Sequence, residues 1–130
     1  MTKSTRDVEW HESEEVFSFL RHTFDVQHAK SLLRKKPREI SSMNLEGVLK
    51  LVGEPPTGDS KLIHFGVIGI DWNVALSDKV DLTIPVLLVP FQDSYLPIDG
   101  WHRIAKAKVQ KIEALPCVAL TKAEAKKIKL

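Results

Sequence analysis

Between residues 95 and 120 the chain reads YLPIDGWHRIAKAKVQKIEALPCVAL, and no other stretch limits the fold as tightly. An apolar run of strand length closes at Asp99-Gly100. A segment of helical period follows, with Trp101, Ile104, Ala105 and Ile112 at helical spacing, and then a second apolar run, PCVAL. Strand, turn, helix and strand in so short a span call for a sheet with a helix laid on it. The turn also carries chemistry that a simple reversal does not need, because His102 and Arg103 stand at the mouth of the next helix.

The flanking sequence divides by period. Ser13 can cap a helix with Glu14 and Glu15 in its first turn and Val16, Phe17 and Leu20 on its inner face. Asp25 caps a second helix that buries Val26, Ala29, Leu32 and Leu33. Its last turn holds Arg34, Lys35 and Lys36, and Pro37 stops it. A third short helix is expected from Asn44, with Leu45, Val48, Leu49 and Val52 inside and Gly53 at its end. Pro55-Pro56 and TGDS then form a loop. From residue 61 the runs KLIHFGVIGIDW and LTIPVLLVP are rich in Val, Ile and Leu and read as strands, with Pro85 pointing to an edge position or an irregularity. Thr121 and Glu124 form a capping box for a terminal helix over 122–130. The pattern predicts one α+β domain over residues 1–130, a small mixed sheet with helices, in which residues 1–24 are an N-terminal helical extension.

Composition excludes several classes. With 130 residues, 43% hydrophobic and 28% charged, the chain has room for one ordinary globular domain. No run approaches the ~20 consecutive apolar residues that span a bilayer. The N-terminus, MTKSTRDVEWHESEE, is polar where a signal peptide is apolar, so the expected address is the cytoplasm, with no membrane partner. Cys117, the single cysteine, cannot form an internal disulfide and lies in an apolar strand, where cysteine is usually inert. Charge is uneven: residues 1–100 carry 11 Lys/Arg against 15 Asp/Glu, and residues 101–130 carry 8 against 2. The basic segments 30–38 and 122–129 permit an anionic partner such as DNA, beside the plainer reading of solvated helix faces.

The helix mouth offers more specific chemistry. A helix starting at Gly100 or Trp101 has free N–H groups and a positive dipole end aimed back at the turn. Gly100 lets a ligand approach the backbone closely, Arg103 offers a fork of donors, and His102 adds another. Together they describe an anion site at a helix N-terminus. Asp99 is either the cap of that helix or an acid beside the anion. His102 and Arg103 also have a structural reading, solvated or paired with Asp71 or Asp78, and Trp101 reads as core. His22 and His28, six residues apart, do not share a helical face, and His11 and His64 are isolated, so no zinc site is argued and metal ligands are not assigned. A Gly-x-x-x-x-Gly-Lys-Ser/Thr loop is absent.

The stretch LLVPFQDSYLPIDGWHRIAKAKVQKIEALPCVAL resembles the central part of the ParB N-terminal domain, in the ParB/sulfiredoxin superfamily. Gly100, Arg103, Ala107, Glu113 and Pro116 fall at the family's spacings without a gap, over residues 83–120; residues 25–53 match loosely. The resemblance implies a ParB/sulfiredoxin-like fold whose helix N-terminus, following a strand, binds phosphate. Trp101 stands where sulfiredoxins carry their reactive cysteine, so sulfiredoxin chemistry is not expected. Lys111 replaces the glycine that usually ends the helix, so that turn is expected to close differently. The Asp-Gly-x-His-Arg form is similar to members that use ATP. It implies that Gly100, Trp101, His102 and Arg103 cradle the phosphates of a nucleotide, ATP before CTP, with Mg2+. Asp99 and His102 become the candidate catalytic residues, and Asp71 and Glu54 the candidates for a general base, with nothing to select between them. The expected function is an ATP-dependent NTPase, with or without nuclease activity, or a small-molecule kinase. The alternative is a non-catalytic DNA- or protein-binding module. Whether the chain forms a homodimer stays open.

Overall fold

Val86, Leu87, Leu88 and Val89 are four consecutive buried residues in one strand, which requires cover on both faces of the sheet. The computed structural model describes residues 4–8, 10, 16–19, 22–46, 62–65, 68–71, 80–91 and 93–130. Their elements run in the order 3-10 turn (Thr5–Asp7), β1 (Val16–Phe19), β2 (His22–Asp25), α1 (Val26–Lys35), β3 (Ser41–Asn44), β4 (Leu62–Phe65) and β5 (Ile68–Asp71). Then follow β6 (Val86–Phe91), β7 (Ser94–Asp99), α2 (Trp101–Val109), β8 (Ala114–Ala119) and α3 (Lys122–Ile128). Four strands form a mixed sheet in the order β3-β8-β6-β7, with β6 and β8 parallel and the other pairs antiparallel. β1 with β2, and β4 with β5, form two antiparallel pairs of their own. The chain is an α+β protein, as its sequence predicts.

The core gathers Val26 and Leu33 from α1, Leu96 and Ile98 from β7, Ile104 from α2, Val118 from β8 and Ile128 from α3 around β6. Two prolines are placed where the sheet tolerates them. Pro97 lies on the edge strand β7, and Pro90 lies beyond Leu88, where the pairing of β6 with β8 ends. Pro85 does not mark an edge: it precedes β6, and β6 is interior.

Asp25 caps α1 as expected, its Oδ1 accepting from the His28 N–H at 3.0 Å. The capping box of α3 is complete, although the helix ends at Ile128 rather than 130. One expectation is corrected. Where the first helix was expected to bury Val16 and Phe17, β1 instead pairs with β2, with Phe17 opposite Phe24 and Phe19 opposite His22, so residues 16–19 and 22–24 of the predicted helical extension are strand; Ser13, Glu14, Glu15 and Leu20 lie outside the described residues. Aromatic and β-branched residues repeat there and suit a pleated surface better than a helix. Ser41–Asn44 is a strand, β3, whose three exposed polar residues hid it; only Met43 is buried. Within KLIHFGVIGIDW, read as strand, Leu62–Phe65 and Ile68–Asp71 are strands β4 and β5, paired antiparallel with each other. The third helix begins where expected, with Leu45 buried and Asn44 Oδ1 accepting from the Glu46 N–H at 2.8 Å; its continuation lies outside the described residues.

Candidate functional site

β7 delivers Asp99 to the start of α2. Gly100 is the N-cap, with φ +108°, a left-handed conformation that L side chains rarely adopt, and no side chain accepts at this cap. The first intrahelical bond runs from Ile104 N–H to the Gly100 carbonyl at 2.9 Å, so the N–H groups of Trp101, His102 and Arg103 precede it. Asp99 is therefore not the cap. Its Oδ2 lies 3.4 Å from Arg103 Nη2 and 3.6 Å from Lys30 Nζ. Arg103 Nη2 also donates to the Pro85 carbonyl at 3.2 Å, tying the start of α2 to the entry of β6.

His102 is exposed at the mouth. Arg103 is turned inward, with its side chain 12% exposed, and pairs with Asp99. Asp78 and Glu54 lie outside the described residues, as does the loop over 55–60; Asp71 ends β5 opposite Leu62. The Trp101 indole belongs to the core: it is buried, donates from Nε1 to the Pro97 carbonyl at 3.0 Å and stacks on Phe17 at 6.2 Å. Any contribution of Trp101 to an anion site therefore falls to its backbone N–H.

Lys30 was counted in the sequence as part of a basic run, and it is 4% exposed, under the mouth. The signal was present: positions 26, 29, 30 and 33 are the inner face of α1, so Lys30 occupies a core position of the helix. The rest of that run is not a single basic face. Arg38 forms a two-pronged pair with Glu124 at 2.6 and 2.8 Å, and Arg34 donates to the Trp10 carbonyl at 3.3 Å. The guanidinium, aided by the Thr121 N–H of the capping box, lowers the Glu124 carboxyl to about 2. Asp81 is a second carboxylate that sequence reasoning passed over. The Thr83 hydroxyl and N–H hold it below the usual carboxylate range, and the charges of Arg103 and Lys106 add to the effect. Lys106 anchors the segment before it by donating to the Val80 carbonyl at 2.9 Å. Cys117 is buried in β8, and burial pushes its thiol up, away from the reactive thiolate.

Two cations converge on one carboxylate, beside a helix start with no side-chain cap. That combination suits an oxyanion such as phosphate. It suits a protein-only metal site poorly, since Asp99 is already held by Lys30 and Arg103. Among the described residues no three His, Cys, Asp or Glu side chains group to hold a metal ion. No described helix is long and apolar enough to cross a membrane. Comparison of the chain with protein-family models, with curated proteins and with solved structures finds no match.

Proposed function

We propose that the chain is a ParB/sulfiredoxin-like nucleotide-binding protein that seats nucleotide phosphates at the mouth of α2, with ATP as the preferred ligand. The observation that carries this reading is the pairing of a glycine-capped helix start with the buried Lys30–Asp99–Arg103 cluster. Backbone N–H groups of residues 101–103 and the exposed His102 face the ligand, with Lys30 and Arg103 gathered on Asp99 behind them. Magnesium fits as an ion carried on the phosphates rather than on a protein cage, with Asp99 and Asp81 as the nearby carboxylates. It would neutralise charge developing on a transferring phosphoryl group. The reaction is phosphoryl transfer from ATP to water, or to the hydroxyl of a small molecule, with Asp99 and His102 in the catalytic roles.

The test is magnesium-dependent release of phosphate from ATP and CTP by the wild type, Asp99→Asn and Asp81→Asn. Turnover by the wild type that falls at least 100-fold in Asp99→Asn, in protein that still melts cooperatively, supports the reading. Nucleotide binding without turnover in the wild type reduces it to a binding module.

A further inference from the structure

A groove of about 900 Å³ opens at the opposite end of the β6–β7 hairpin from the mouth of α2. One wall carries three exposed lysines: Lys122 and Lys126, four apart and so on one face of α3, and Lys129, which follows the helix in extended backbone bridged to Phe24. The floor and far wall carry rings: His22 meets Phe91 edge-on at 5.3 Å, and Tyr95, 51% exposed, stands beside the hairpin tip. Asp93, in the turn of that hairpin, is the one acidic residue among the described residues of the lining.

We infer that this groove binds single-stranded nucleic acid. Three cations along one wall match a sugar–phosphate backbone, and the exposed Tyr95 ring, with the half-buried His22 and Phe91 rings beside it, offers a face on which an unpaired base can stack. The same lining argues against two other occupants. A duplex keeps its bases inside and gains nothing from Tyr95 or Phe91. An acidic peptide would answer the lysines and leave the aromatic wall unused. The volume exceeds what one phosphate needs, and the three lysines run along α3 and past its end rather than converging on a point. The groove is separate from the nucleotide mouth, and this inference stands without it.

The experiment is fluorescence anisotropy with a labelled 12-nucleotide oligo-dT and the matching duplex, across a salt series. The wild type should bind the single strand at least tenfold tighter than the duplex. The Lys122→Ala/Lys126→Ala/Lys129→Ala variant should weaken that binding at least tenfold and reduce the salt slope by about 2, as three lost phosphate contacts require. Tyr95→Ala should weaken it at least fivefold with the salt slope kept, and Tyr95→Phe should restore it. Lys35→Ala/Lys36→Ala, away from the groove, should bind the strand as the wild type does. Absence of oligonucleotide binding, equal affinity for the duplex, competition by poly-glutamate as effective as by oligo-dT, or indifference to the Tyr95 and lysine changes would each overturn the inference.

Discussion

At the scale of single residues the mouth of α2 depends on one glycine and one carboxylate. A Cβ at Gly100 would come within 2.8 Å of Arg103 Nη2 and 3.0 Å of Val86 Cγ2, and φ +108° strains any L side chain. Gly100→Ala should therefore cost about 1–3 kcal/mol in urea unfolding and push the guanidinium off Asp99. Asp99 compensates two cations at once. Asp99→Asn leaves Lys30 and Arg103 facing each other and should destabilise by about 2 kcal/mol, less than a fully buried pair because Asp99 is 18% exposed. Lys30→Met removes a cation and keeps the packing, so it should change stability by less than about 1 kcal/mol. The double variant should lose less than the sum, and an additive cycle would show that the Lys30–Asp99 contact is energetically empty. The same cycle keeps the turnover test interpretable, since it separates an inactive Asp99→Asn from an unfolded one.

At the scale of elements, two helix ends hold specific free energy. α2 closes by bonds from Ile112 N–H to the Ala107 carbonyl at 2.8 Å and from Lys111 N–H to the Lys108 carbonyl at 3.2 Å, with Lys111 at φ +59°. The turn thus closes in the left-handed form a glycine would take, contrary to the expectation that it must close differently, and the lysine bears the strain. Lys111→Gly should raise stability by about 1 kcal/mol by thermal melting. α3 is held to the segment after α1 through Arg38 and Glu124. Glu124 has its folded pKa lowered from 4.5 to about 2, so its contribution is complete above pH 4.5 and is lost as pH falls from there through 2. Arg38→Ala should cost about 2 kcal/mol at pH 7 and flatten the stability profile between pH 4.5 and 2; a profile as steep as that of the wild type would exclude Glu124 as its source. The capping signals at Asp25 and Thr121 were legible in sequence because a cap is local. β3 was not legible, since its identity comes from pairing with β8, and the β1–β2 hairpin was misread because short apolar runs suit either period.

At the scale of the whole molecule, the strand–turn–helix–strand over residues 94–119 was readable residue by residue, and it sets the sheet around which the other elements pack. Its site was readable only in part. The sequence placed Asp99, Gly100, His102 and Arg103 together because they are neighbours in the chain. Lys30 arrives from about seventy residues away and Asp81 from about twenty, and such meetings come from packing rather than from spacing. The central claim, that this mouth seats nucleotide phosphates, is tested most directly by calorimetric titration of ATP, CTP, ADP and phosphate with magnesium. The proteins to compare are the wild type, His102→Ala, Arg103→Ala and the triple lysine variant of the groove. ATP should bind the wild type and the groove variant alike and at least tenfold more weakly to both mouth variants. Heat absent from every wild-type titration, or binding lost with the groove lysines and kept with His102→Ala and Arg103→Ala, would contradict it.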